Sequence, residues 1–265
     1  MSHPAYGEVR QVAPFASVLL QRNPGVMTLD GTNTWLLGAP EAPVVVDPGQ
    51  AGDDGHLDRL LAAAPHPSLV LLTHRHHDHT ELAAQLHART GAPVRAYDPG
   101  HCHGGEPLAG GEVLVAADVR IEVLAVPGHT SDSTAFVVAA DGSRAVLTGD
   151  TILGRGTTVV AHPDGNLRDY LASLQRLREL GDVLALPGHG PELPSVAEAA
   201  GFYLEHRAQR LDQVRAALRD LGADATARDV VEAVYADVDE ALWPAAELSV
   251  AAQLQYLRGD EAGPA

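Results

Sequence analysis

Five side chains able to bind a metal fall within six residues, and four of them, His74, His76, Asp78 and His79, are the candidate ligands. The apolar run Leu69-Val70-Leu71-Leu72-Thr73 leads into them, and a helical pattern follows from Thr80. A strand that ends in such a loop holds the loop's base rigid, which is how many sites are built. His74 and His76, two residues apart at the strand end, can point the same way. Asp78 and His79 turn into the start of the helix on the other side. One short loop therefore offers two pairs of ligands for two adjacent ions. His77 alternates away from its neighbours and is expected to be exposed or to support the ligands from behind.

Three more candidate ligands stand at similar strand ends. They are His129 after Leu124-Ala125-Val126-Pro127-Gly128, Asp150 after Val146-Leu147-Thr148-Gly149, and His189 after Leu184-Ala185-Leu186-Pro187-Gly188. In each case glycine precedes the ligand and lets the backbone turn tightly. Imidazole with carboxylate suits Zn2+, and also iron or manganese. Two ions roughly 3.5–4 Å apart can share a hydroxide and clamp a substrate oxygen. Asp150 is the natural bridge. The expected partition places His74, His76 and His129 on one ion and Asp78, His79 and His189 on the other. Asp78 is also the catalytic candidate, orienting the attacking hydroxide.

Around these motifs, expected strands at 34–37, 44–47, 69–73, 119–126, 135–139, 144–148 and 183–186 mix with expected helices at 54–63, 80–90 and 167–180. Asn166 caps the last helix, and Tyr170 packs it against the sheet that bears the site. This pattern implies an α+β layered domain over residues 1–193. Residues 194–265 read as a helical subdomain. It opens on the capping sequence Pro194-Ser195-Val196-Ala197-Glu198 and carries apolar stripes at Leu211, Val214, Leu218, Leu221 and at Val250, Leu254, Leu257.

Composition narrows the function. The 265 residues carry a net charge of -17, which disfavours a broad nucleic-acid footprint. Every basic residue is arginine, so a P-loop, a Schiff-base lysine and a Ser-Lys dyad are excluded. No Gly-x-Ser-x-Gly elbow is present. An all-arginine chain rich in Ala, Gly and Pro fits a GC-rich bacterial genome. With one cysteine, no basic or apolar leader and no apolar run that spans a bilayer, the expected location is the cytoplasm, with no membrane partner. His101-Cys102-His103 is read as a surface loop.

The run His74-Arg75-His76-His77-Asp78-His79 matches the His-x-His-x-Asp-His signature of the metallo-β-lactamase superfamily. Pro127-Gly128-His129, Thr148-Gly149-Asp150 and Pro187-Gly188-His189-Gly190 match its later motifs in order. Met27-Thr28-Leu29-Asp30-Gly31-Thr32-Asn33-Thr34-Trp35, Gly154-Arg155-Gly156-Thr157-Thr158, Asp169–Leu174 and the tail from His206-Arg207 resemble the β-lactamase-like protein 2 subfamily, related to glyoxalase II and ribonuclease Z. The resemblance implies a four-layer αβ/βα sandwich with metals at one edge and a winged-helix-like tail. Only Arg258–Ala265 follow the last helical stripe, so the wing is expected to be reduced. Antibiotic-destroying relatives carry a leader and often cysteine where Asp150 stands, and flavodiiron relatives carry Glu where His76 stands; neither holds here.

The implied activity is hydrolysis by hydroxide held between two Zn2+, on a small ester or thioester. The alternatives are cleavage of single-stranded RNA in the same site and a non-catalytic metal-binding role. A basic stripe formed by Arg75, Arg155 and Arg168 would favour RNA. Three further residues are candidate substrate contacts. Asn33 either reaches the site as an amide donor or bonds the backbone of its own turn. Thr130 either donates to substrate or caps the following turn. Arg155 either contacts an anionic substrate group or is a solvated loop arginine.

Overall fold

The computed structural model describes residues 6–52, 55–160, 162–236 and 239–261. The leader reading over residues 1–5, the expected helix start at Asp54 and the end of the tail at 262–265 lie outside them. Two sheets face one another. The first contains β1 (Val9–Ala13), β2 (Ala16–Leu20), β3 (Asn33–Leu37), β4 (Val44–Val46), β5 (Leu69–Leu71) and β6 (Val94–Arg95), in that order. The second runs β11 (Leu184–Pro187), β10 (Ser143–Gly149), β9 (Thr134–Ala140), β8 (Val119–Ala125), β7 (Val113–Ala116).

Period-2 alternation builds the layers. On β5, Leu69 and Leu71 enter the core between the sheets, whereas Val70 and Leu72 point outward to a second cluster. That outer cluster is closed by Leu60 of α1 (His56–Ala63) and Leu86 of α3 (Ala83–Thr90). On β9, Phe136 and Val138 face inward, and Ala135 and Val137 face the opposite helical layer. Strands buried on both faces read as continuous apolar runs, and each fully buried side chain contributes roughly 1.5–3 kcal/mol. The result is the mixed αβ/βα sandwich expected.

The strands missing from the sequence reading are β1, β2, β6 and β7. β7 lies at a sheet edge with Val113 and Val115 exposed, so its alternation signals the wrong face. β6 is two residues long and pairs with β5. The helix expected at 80–90 is divided: a short turn of helix, α2 (His77–Thr80), already contains Asp78 and His79, and α3 follows.

α4 (Leu167–Glu179) begins at Asn166, whose side chain accepts from the amides of Arg168 and Asp169. The tail consists of α5 (Val196–Leu221), α6 (Ala227–Val234) and α7 (Trp243–Glu261). Ser195 caps α5 by accepting from Glu198 N, and a full capping box, Thr226 with Asp229, opens α6. Leu221, expected in the buried stripe of α5, is exposed at its last turn. One apolar cluster runs from Val126 and Val146 through Leu174 of α4 to Val214, Val250 and Leu254 of the tail. The helices from 194 onward thus share a core with the second sheet. Among the described residues no strand follows β11.

Candidate metal centre

β4 and β5 are parallel, as are β10 and β11, and β8 runs the same way as β10 because both are antiparallel to β9. Their C-terminal ends therefore meet at one edge of the sandwich. Hydrogen bonds stitch the sheets there, Thr134 N to Thr73 O and Asn33 N to Gly188 O, both at 2.8 Å. The loops after β5, β8, β10 and β11 converge on a single point.

At that point stand two groups, His74, His76, His129, Asp150 and Asp78, His79, His189. Nε2 of His74 lies 3.0 Å from Nδ1 of His76, which is 3.1 Å from Nε2 of His129. Nε2 of His189 lies 3.1 Å from Asp78 Oδ2 and 3.3 Å from Nε2 of His79. Asp150 reaches both groups, at 3.8 Å from His129 Nε2 and 3.4 Å from His189 Nε2. Ligand atoms on a tetrahedral zinc with bonds of about 2.0–2.1 Å are separated by roughly 3.3 Å, so these spacings suit one. Every member is buried except His76, which is partly exposed, while His77 is exposed as expected.

Backs of the rings are braced. His79 Nδ1 bonds Asp47 Oδ2 at 2.8 Å, His129 Nδ1 bonds Val159 O at 2.6 Å, and His189 Nδ1 bonds Gly31 O at 3.0 Å. Such partners select the tautomer that turns Nε2 inward. Asp47 was not singled out in the sequence. It is buried, sits at φ 54, and also accepts from the amide and hydroxyl of Thr73, one residue before His74. Its signal was available: Val44-Val45-Val46-Asp47-Pro48-Gly49 is another apolar strand ending in a carboxylate and a turn.

The glycines meet the need expected of them. Gly128 adopts φ 137, and a Cβ there would stand 2.3 Å from Tyr170 Cα. A Cβ on Gly188 would stand 2.6 Å from Asp150 Oδ1 and 2.8 Å from His79 Cε1. Tyr170 is fully buried and donates to Thr151 O, which locks α4 onto the site as expected.

The field at the site is that of a cation site. Burial opposes charge on Asp78 and Asp150, yet His79 and His189 hold both carboxyls well below the usual carboxylate range. Burial also opposes charge on His189, but Asp150 and Asp78 push it up to about 9. His74 is driven well down by burial and His79, and His76 down to about 4 by burial and His129. Asp150 Oδ1 is buried and accepts no hydrogen bond. A buried carboxylate oxygen without a donor, ringed by imidazole nitrogens, fits a pair of divalent cations.

For two candidate substrate contacts the structure shows where the side chain is engaged. Asn33 donates both amide protons to the His189 loop, to Pro187 O at 3.0 Å and Gly190 O at 2.8 Å. It shapes that loop and keeps no proton for a ligand. Thr130 directs its hydroxyl to Asp132 and Ser133 and so caps its turn. Arg155 stays beside the site, lining a cavity with His129 and Asp150 while paired to Asp30. Arg75 is bound to Asp132 and Asp164, and Arg168 lies over the Tyr256 ring. The three arginines therefore form no open stripe toward the cluster. Cys102 turns inward, its Sγ 3.4 Å from Ala96 N, as in a surface loop tucked against the core.

Fold and ligand set together define a dinuclear metallo-hydrolase centre at the edge of an αβ/βα sandwich. Residues 27–189 match the family described as the Metallo-beta-lactamase superfamily, and residues 226–261 match the Beta-lactamase associated winged helix domain. The chain belongs to the metallo-beta-lactamase superfamily. It is 31% identical over 241 residues to a Beta-lactamase-like protein 2 homolog of Caenorhabditis elegans, covering 86% of this chain and 79% of that one. It is 30% identical over 254 residues to an Atrochrysone carboxyl ACP thioesterase of Aspergillus fumigatus, covering 88% and 78%. The crystal structure of a Beta-lactamase domain protein from Burkholderia ambifaria superposes with a TM-score of 0.81 at 24% identity, covering 97% of this chain and 90% of the other. Among the described residues no helix is long and apolar enough to cross a membrane.

Proposed function

We propose that this metallo-hydrolase cleaves a small thioester or ester, with His74, His76 and His129 holding one Zn2+, Asp78, His79 and His189 the other, and Asp150 shared. The observation that carries this reading is the entrance to the centre. Its cavity of about 80 Å³ is lined by Val26, Met27, Leu29 and Leu153 facing His129 and Asp150. That is a narrow, apolar mouth suited to an acyl group, and the nearby arginines are engaged with acidic or aromatic partners. The likeness to a named thioesterase supports the same class.

Bound there, two zinc ions supply Lewis acidity and lower the pKa of water to about 7. The chain's part is to place and relay. Asp78, held ionised, is 3.1 Å from His189 Nε2 and can accept the proton of the attacking water. Arg155 lines the same cavity paired to Asp30, so a substrate oxygen would meet its guanidinium only in competition with that carboxylate. Among the described residues the cavity's lining offers no protonated acid for the leaving group, which favours a thiolate, since a thiol of pKa about 8.5 needs less help to depart than an alcohol.

The test is turnover of a panel of acyl thioesters beside a fluorogenic single-stranded RNA, with metal content measured on the same preparation. Thioester turnover that disappears in Asp150→Ala is the expected result. RNA cleavage with silent thioesters would replace this reading by the nuclease one, and bound iron in place of zinc would replace the metal.

A further inference from the structure

Beyond the apolar mouth, where α5 and α7 meet residues 157–159, a second cavity of about 240 Å³ opens. It shares Val26, Met27 and residues 157–159 with the cavity over Asp150, so the two adjoin. Its floor is apolar, from Leu242, Ala245 and Ala246. Its wall is α5, which presents His206, Arg207 and Arg210 on successive turns. Among the described residues no Asp or Glu lines it, in a chain whose net charge is -17.

These basic groups are poorly matched inside the protein. Arg207 is 3% exposed, donates to Thr158 O and lies over the Tyr170 ring, yet its Nε is buried without a hydrogen bond. His206 Nδ1 is likewise buried and unbonded. Arg210 is partly exposed, touching Gln213 Oε1 at 2.9 Å and the Tyr235 ring at 4.6 Å, and among the described residues pairs with no carboxylate. Burial, and after it the two neighbouring arginines, push His206 down to about 4. Buried donors are rarely left unbonded, because water is not there to replace the lost partner. Guanidinium groups in such a pocket match the oxygens of a carboxylate or phosphate.

We infer that this pocket is an anion subsite of the same active centre, built by the tail, which holds the charged end of the substrate through Arg210 and His206. The inference rests on the small-substrate reading above. Arg207 positions the seam: it holds Thr158, whose neighbour Val159 braces the ligand His129. Two guanidinium groups and the neutral imidazole of His206, a hydrogen-bond donor, around one cavity suit a single anion, and not a polyanion strung along a surface. The anion is either a carboxylate on the acyl part or a phosphate on the thiol part.

Two substrate pairs separate those sources. Pentanoyl and glutaryl pantetheine differ at the acyl end, and pentanoyl pantetheine and its 4′-phosphate differ at the thiol end. The quantity read is the ratio of kcat/KM, anionic over neutral, in the wild type and in Arg210→Gln; it is independent of how much of each preparation is folded. In one pair the ratio is expected to be about tenfold or more, carried by KM, and to fall to near one in the variant. A ratio near one in both pairs of the wild type, or a ratio unchanged in the variant, overturns the subsite. If no thioester is turned over, the hydrolase reading fails separately. The subsite is then read by calorimetry with glutarate and with inorganic phosphate. Binding lost in Arg210→Gln upholds it, and no binding of either anion overturns it.

Discussion

The ligand cluster and the seam with the tail are both buried and both rich in nitrogen, but their polar atoms are held differently. At the sheet edge, His79, His129 and His189 are each fixed from behind by Asp47, Val159 O or Gly31 O. Across the seam, Arg207 Nε, His206 Nδ1 and both amide atoms of Gln253 are buried without hydrogen bonds. The first arrangement is shaped by the protein alone, as a cation with strict geometry demands. The second leaves donors over for something that is not part of the chain. Rigid strand ends suit the metals; the helical wall suits a substrate that varies.

The largest test of that contrast is Asp150→Ala. It is expected to lower turnover by about a thousandfold or more and to reduce bound metal, read by kinetics and elemental analysis; undiminished activity would break the ligand assignment. Next in size, Gly128→Ala places a Cβ 2.3 Å from Tyr170 Cα at φ 137. A loss of about 3 kcal/mol or more in urea unfolding is expected. Asp47→Asn removes the brace behind His79 and is expected to weaken metal binding about 10- to 100-fold, read by competition with a chelating dye.

On the other side of the comparison, Gly201 lies within α5 with nothing within 4 Å of a Cβ. Gly201→Ala is therefore expected to stabilise by roughly 0.5–1 kcal/mol, opposite in sign to Gly128→Ala. The last effect is confined to acid pH and concerns His206, whose folded value of about 4 lies below its ordinary 6.5. Between those values the unfolded chain binds the extra proton, so stability rises with pH across the window. This contribution is complete above about 6.5 and lost as pH falls through 4. His206→Gln is expected to flatten that part of the urea-midpoint profile; an unchanged slope would place the acid sensitivity elsewhere.

Much of the site was legible because its ligands cluster in sequence or follow one rule, an apolar strand, a glycine and then His or Asp. Asp47 obeys nearly the same rule but carries no glycine before it and no histidine beside it, and so was read only as the end of the strand at 44–47. Asn33 and Thr130 stayed open between a substrate contact and a turn bond for a different reason. A short polar side chain in a turn always has several partners within reach, and only the fold shows that Pro187, Gly190, Asp132 and Ser133 take them. β7 was missed because its exposed valines point away from the core.

From the order of residues alone came the metal chemistry, the layered sandwich and the helical tail, since ligand type and apolar period are local properties. Tertiary structure decided the rest. It brought four loops, separated by as many as 115 residues between His74 and His189, to one edge. It also merged the tail into the outer core and set Arg207 and Arg210 beside the mouth of the centre. Contacts between distant segments follow from which faces bury together, and no local pattern encodes that pairing.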